Sequence, residues 1–213
     1  MGGVFETLLI EDGRVRLVDR HLGRLAASGV SEPMIQEVRE LVARLTTAAS
    51  EPVVVRIDVA DGRVLARPRD PRPPTPLSGV LVEAYDPGDR SRERKRTERT
   101  WADAAETAAG GEALLVSPEG LVGETTRANV FAILGDVVVT PAVAGLLPGV
   151  TRSWAIERLG AIERALTLAE LREADGAFVT TAGRGIVALA DVGGQRLPAH
   201  PLVEQLQEAW RAL

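Results

Sequence analysis

The chain of 213 residues predicts an α+β protein built as two domains. Three observations carry that expectation. Short apolar, β-branched runs recur and are joined by Asp-Gly or Gly-Asp pairs, the pattern of hairpins. Between them stand segments with apolar residues at helical spacing, such as Ile35, Val38, Leu41, Val42 and Leu45. Five prolines, Pro68, Pro71, Pro73, Pro74 and Pro76, then fall within nine residues. Such a segment suits neither a central strand nor a helix and reads as a stiff extended connector. It divides the chain into an N-terminal α+β domain over 1–76 and a C-terminal domain over 77–213.

Residues 4–10 read as a strand, turned at Glu11-Asp12-Gly13-Arg14 into a second strand over 15–18. Asp19 is placed to cap a helix over 20–27 that Gly29 ends. Ser31-Glu32-Pro33 opens the next helix, and 52–59 with 64–69 form a second hairpin around Asp61-Gly62. Beyond the prolines, 80–84 is a strand and 101–109 a helix stopped by Gly110-Gly111. Strands follow at 113–116, 121–124, 130–134 and 137–140. Pro148-Gly149 precedes a helix over 151–159. A short strand at 162–165 and a short helix at 168–173 come next. Strands at 177–180 and 186–189 flank the polar loop Thr181-Ala182-Gly183-Arg184-Gly185, and His200-Pro201 starts a C-terminal helix.

Composition removes several classes of function. A net charge of −5 argues against a nucleic-acid footprint, and the basic run over 90–99 holds no aromatic residue to stack on bases. With no cysteine and two distant histidines, His21 and His200, no metal site is expected. No apolar run reaches the length of a membrane span, and residues 1–7 lack the basic start of a secretory signal. The expected location is the cytoplasm.

One residue type is nearly missing. Lys95 is the only lysine, in a chain whose lysines and arginines together number 25. It could be a leftover surface residue in a charge run. Yet lysine forms imines and moves protons near neutral pH when its pKa is lowered, which arginine does not do.

Further along stand Glu124-Thr125-Thr126-Arg127-Ala128-Asn129-Val130-Phe131, then Val138-Val139-Thr140, then Leu147-Pro148-Gly149-Val150-Thr151-Arg152. With these spacings the three pieces resemble the signature of the class IV pyridoxal-phosphate-dependent enzymes. That family includes branched-chain and D-amino-acid aminotransferases and aminodeoxychorismate lyase. Phe5-Glu6-Thr7-Leu8 and His21-Leu22-Gly23-Arg24-Leu25 resemble the family's N-terminal block. Lys95-x-x-x-Arg99 resembles its lysine block, and the residues from Phe178 to Ile186 its second phosphate-contacting loop.

The resemblance implies fold type IV, a small N-terminal α/β sandwich-like domain and a larger C-terminal β-barrel-like domain with helices. It implies pyridoxal 5'-phosphate as cofactor, with Lys95 and Glu124 as the catalytic pair. Lys95 would hold the cofactor as an imine and then act as general base, while Glu124 would keep the ring nitrogen protonated. Arg24 would hold the phosphate, with Val150 and Thr151 at a helix N-terminus and Ala182 and Gly183 in the loop. Arg99, Arg127 and Arg184 are candidates for substrate carboxylates, unranked. Lyase relatives are the nearest in appearance, implying 4-amino-4-deoxychorismate cleaved to 4-aminobenzoate and pyruvate. A class IV aminotransferase using the same lysine is the alternative, and a non-catalytic relative the third. Family members generally carry a further segment before the Phe-Glu-Thr strand, so part of the substrate wall is expected from a homodimer partner. The position five residues after the lysine, often tyrosine in the aminotransferases, is Thr100.

Overall fold

The computed structural model describes residues 2–78 and 80–213. The fold is α+β in two compact units. The first comprises Met1–Pro73, Arg94–Glu98 and Ala182–Arg184; the second comprises Pro74–Glu93, Arg99–Thr181 and Gly185–Leu213. The chain first passes from one to the other among the prolines.

The first unit contains β1 (Val4–Glu11), β2 (Arg14–Val15), α1 (Val18–Ala27), α2 (Glu32–Ala48), β3 (Val53–Ala60) and β4 (Arg63–Arg69). Its antiparallel sheet runs β2-β1-β3-β4. Alternation along β1 and β3 sends Leu8, Ile10, Val55, Ile57 and Val59 toward the helices, where they meet Leu22, Leu25, Ile35, Val38 and Val42. The second strand is shorter than its sequence suggests, and Asp19 is not the cap of α1. Leu17 takes a left-handed conformation at φ 53°, and its carbonyl accepts from the Arg20 and His21 amides, so the helix starts at Val18. Asp19 lies in the first turn and pairs with Arg39 of α2 at 2.9 Å. The segment Arg94–Glu98 extends along the edge of β1. The Phe5 amide donates to the Lys95 carbonyl at 2.8 Å, Val4 pairs with Arg96, and the Thr97 amide donates to the Gly3 carbonyl. Gly3 is required there, because a Cβ would strike Ala60 and Thr97.

The second unit contains β5 (Leu81–Ala84), a 3-10 turn at Arg90–Glu93, α3 (Thr100–Ala109), β6 (Ala113–Val116), β7 (Val122–Thr125), β8 (Asn129–Leu134) and β9 (Val137–Thr140). Then come α4 (Val150–Leu159), β10 (Ile162–Glu163), α5 (Leu168–Arg172), β11 (Gly176–Thr181), β12 (Gly185–Ala188), β13 (Asp191–Val192), β14 (Gln195–Arg196) and α6 (Pro201–Arg211). The main sheet runs β10-β9-β8-β7-β6-β5 and branches at β8, which also pairs with β11, itself paired with β12. The small β13–β14 hairpin and the 3-10 turn are not legible in the sequence, being too short for a periodic signal. Val130, Ala132, Val139, Val179 and Val187 form the core on one face. On the other, Phe131 and Phe178 stack at 4.7 Å between centroids. Trp154 of α4 meets Trp210 of α6 edge-on at 5.0 Å, and the Trp210 ring lies where a Cβ on Gly185 would be. No helix among the described residues is long and apolar enough to cross a membrane.

Both Phe131 and Phe178 are fully buried. Phe131→Ala is expected to destabilise the chain by about 3–5 kcal/mol in urea denaturation, through lost burial and an unfilled cavity. A loss under about 1 kcal/mol would show that the stack is not part of the core.

Candidate functional site

In the first unit the candidate residues gather around β1. Glu6 has the parity of Leu8 and Ile10, so its carboxylate points at the helix-packed face, and it is 1% exposed. One turn of α1 brings two partners to it. Arg24 donates through Nε to Oε1 at 2.8 Å and through Nη2 to Oε2 at 2.7 Å, a bidentate fork. His21 Nδ1 meets Oε2 at 2.8 Å. Burial raises the Glu6 pKa, but the Arg24 charge, the His21 hydrogen bond and the Lys95 charge outweigh it, and the group is held well below the usual carboxylate range. Burial lowers the His21 pKa against the pull of Glu6. The ring is then neutral at pH 7, and Nδ1 carries the proton it donates, since an ionised carboxylate only accepts.

Lys95 is half-buried, with Nζ 5.1 Å from the centroid of the Phe5 ring. Arg56 covers the same ring at 3.8 Å. Gly183 is buried, and a Cβ there would touch Val54 and Thr7 at ordinary contact distance, 3.6–3.8 Å. Ala182 and Arg184 flank it and are half-buried. Arg24, expected on a phosphate, is here the partner of Glu6.

In the second unit Glu124 lies on β7, directly opposite Asn129 of β8. Asn129 Nδ2 donates to Glu124 Oε2 and to the Leu147 carbonyl, both at 3.0 Å, while the Leu147 amide donates to both Glu124 oxygens at 3.3 Å. The loop carrying Leu147 is anchored in turn. Arg92 donates to the Gly145 carbonyl at 3.2 Å, and Glu93 accepts from the Gly145 amide at 2.9 Å. Gly149 must lack a side chain, because a Cβ would collide with Asn129 Oδ1. Burial pushes the Glu124 carboxyl up to about 8, against the Leu147 hydrogen bond and the charges of Arg92, Arg99 and Arg152, which lower it.

Val150 and Thr151 open α4, whose N-cap Gly149 supplies no side-chain oxygen. The Thr151 hydroxyl is buried without a hydrogen-bond partner, and so is that of Thr180. Thr180 pairs across β11 and β8 with Asn129, so Glu124, Asn129 and Thr180 form one row over three strands. The arginine candidates separate here. Arg127 is exposed and doubly bonded to Glu106. Arg99 is half-buried, donates to the Thr126 carbonyl and lies 5.3 Å from the centroid of Trp101. Burial lowers its pKa, and Glu124 is among the charges acting on it.

Glu6, Asn129 and Thr180 are additions to the sequence-derived set. A charged residue at an apolar parity was the signal for Glu6. A turn between adjacent strands was the signal for Asn129 opposite Glu124. Thr180 had none, since its register depends on a partner strand far away in the chain.

Comparison with known proteins places the chain in a family. The profile of the family described as amino-transferase class IV matches residues 3–192. The branched-chain-amino-acid aminotransferase of Pseudomonas aeruginosa is 34% identical over 116 residues, which cover 49% of this chain and 38% of that relative. The matched part thus spans well under half of the curated protein. A hypothetical aminotransferase from Mycobacterium tuberculosis in its PLP-bound form superposes with a TM-score of 0.86 at 24% identity, covering 99% of this chain and 88% of that one. A Legionella pneumophila structure named as a candidate 4-amino-4-deoxychorismate lyase gives 0.78 at 21%, covering 99% and 91%. At these identities the two structures speak to the fold.

The Glu124 environment has a consequence for pH. Its folded pKa of about 8 lies above the ordinary 4.5, so between those values the native state holds a proton that the unfolded chain has released. Stability therefore falls as pH rises through that window. In cofactor-free protein, Glu124→Gln should match wild type near pH 4.5 and exceed it by on the order of a few kcal/mol near pH 8. Parallel stability curves in chemical denaturation would refute a buried, proton-holding Glu124.

Proposed function

Since the chain belongs to the class IV aminotransferase family, a family of PLP-dependent enzymes acting on small amino and keto acids, we propose that it transfers an amino group between such substrates with Lys95 and Glu124 as its catalytic residues. The observation that carries this reading is the buried carboxylate of Glu124, gripped by Asn129 and by Leu147, three residues ahead of a helix start whose Thr151 hydroxyl is unpartnered.

The residues suit pyridoxal phosphate on chemical grounds. Burial outweighs the charges of Arg92, Arg99 and Arg152 at Glu124 and holds its pKa up at about 8; a protonated ring nitrogen beside it would add a cation and ionise it. The α4 amides and the Thr151 hydroxyl offer donors to a phosphate dianion. The cofactor, when bound, supplies an electrophilic carbonyl and a ring that accepts electrons.

The chain's own groups do the rest. Lys95 holds the cofactor through its ε-amine. Its amine would act as general base at the amine-bearing carbon of the substrate, holding that proton on Nζ and giving it back to complete the transfer. Glu124 keeps the ring nitrogen protonated, and Asn129 fixes the carboxylate plane. Val150, Thr151, Ala182, Gly183 and Arg24 bind the phosphate, Arg24 while remaining joined to Glu6. Arg99 is assigned to a substrate carboxylate, because its guanidinium is half-buried in the field of Glu124 while Arg127 is closed off by Glu106. A homodimer belongs to this reading.

A second reading, aminodeoxychorismate lyase, is favoured by Arg99 at the end of the Lys95-x-x-x-Arg99 block and by Thr100 in place of tyrosine. Pyruvate released from aminodeoxychorismate with no keto acid present would select it, and amine transfer only with a keto acid selects the first.

Borohydride reduction of the yellow protein should fix the cofactor mass on the peptide bearing Lys95. Lys95→Ala should lower turnover by at least about a thousandfold. Undiminished turnover or a colourless protein that cannot be reconstituted would sink both readings. Thr151→Val should keep the cofactor-free stability while weakening cofactor affinity about tenfold or more in equilibrium titration, the worth of one hydrogen bond to a charged group.

A further inference from the structure

We propose that Trp101 is a positioning residue that holds the Arg99 guanidinium in place for a substrate carboxylate. This rests on the reading of Arg99 as the substrate anchor. Four side chains of the second unit alternate as ring, cation, ring and cation. The Tyr85 ring lies where a Cβ on Gly123 would be, against the β7 residue that precedes Glu124. The Arg92 guanidinium sits 4.6 Å from the centroid of Tyr85 and 5.8 Å from that of Trp101. The Arg99 guanidinium lies 5.3 Å from the centroid of Trp101. Each spacing is within the reach of attraction between a cation and an aromatic ring.

One end of this row is fixed, and the other keeps unspent donors. Arg92 is 5% exposed and donates through Nη2 to the Asp86 carbonyl at 2.7 Å and through Nε to the Gly145 carbonyl at 3.2 Å. Its Nη1 lies 3.5 Å from Asp89. Arg99 is the N-cap of α3, where its carbonyl accepts from the Ala102 amide at 2.9 Å and from the Asp103 amide at 3.1 Å. Its backbone is thereby set. Among the described residues its side chain makes one hydrogen bond, from Nη2 to the Thr126 carbonyl. Nε and Nη1 keep their donors. Glu106 of α3 does not take them, since Arg127 occupies both of its oxygens. Trp101, half-buried, is the second residue of that helix. The indole attracts the Arg99 cation without consuming an N–H, so the donors remain for a carboxylate. One hydrogen bond alone leaves a long side chain free to turn about its bonds, and ordering it on binding costs affinity. The indole removes part of that freedom beforehand.

Two substitutions separate the ring face from mere bulk. Trp101→Phe keeps an aromatic face, and Trp101→Leu keeps an apolar side chain without one. In the holoenzyme the probe is pyruvate, through its KM as amino acceptor or, for the lyase reaction, its Ki as product. That constant is expected to rise by about three- to tenfold in Trp101→Leu, with kcat changed less, and to stay within about twofold of wild type in Trp101→Phe. Arg99→Gln should raise it further. If Arg99→Gln raises the constant while Trp101→Leu and Trp101→Phe give equal values, the proposal alone is overturned. If Arg99→Gln leaves it unchanged, the assignment of Arg99 under the proposed function falls, and the role of Trp101 with it. Should Trp101→Leu fail to fold, Trp101→Met makes the same comparison.

A second measurement needs neither cofactor nor turnover. In the full chain the Arg99 Nε–H signal in the NMR spectrum is identified by its absence in Arg99→Gln. Its order parameter should be that of a held side chain in wild type and Trp101→Phe, and should fall in Trp101→Leu. An order parameter equally high in Trp101→Leu, or equally low in all three, refutes the positioning role whatever the activity.

Discussion

A carboxylate carried into a low-dielectric interior must recover its lost hydration from fixed partners or keep its proton, and each unit of this chain is organised around one such group. In the first, Glu6 takes a guanidinium fork and an imidazole N–H and stays ionised. In the second, Glu124 receives an amide side chain and a backbone N–H, neutral donors, and burial wins. Two glutamates of like exposure are thereby driven to opposite protonation states by the charge of their donors. That contrast is what acid–base chemistry at one pH needs.

The supporting structure follows from these two demands. β1 must offer Glu6 to α1, which requires the helix to begin early enough for His21 and Arg24 to share its inner face; the left-handed Leu17 provides that start. The Leu147 loop must approach β7 closely, which Gly149 permits and which Arg92 and Glu93 hold by gripping Gly145 from either side. The buried hydroxyls of Thr151 and Thr180, without hydrogen-bond partners, carry part of the cost.

Much of the fold was legible. Asp-Gly turns set the hairpins β1–β2 and β3–β4, and helical spacing set α2, because these signals are local and each is repeated within a few residues. Boundaries moved where hydrogen bonding rather than pattern decides them, as at Asp19, which a cap preference singled out and Leu17 displaced. The Lys95, Glu124, Val150 and Thr151 set was expected for a different reason: the spacing of those residues resembles a family signature. Arg24 was legible as a cation in that signature, but its bidentate grip on Glu6 was not.

By itself, then, the sequence determined the element types, the family and the candidate lysine and carboxylate, since residue identity and spacing are all those require. Tertiary structure decided which groups share a charge. It joined Glu6 to residues fifteen and eighteen positions away, placed Asn129 and Thr180 in one row with Glu124, and closed Arg127 onto Glu106 while leaving Arg99 beside Trp101. Electrostatic interaction depends on distance and burial in space, and neither is encoded by position along the chain.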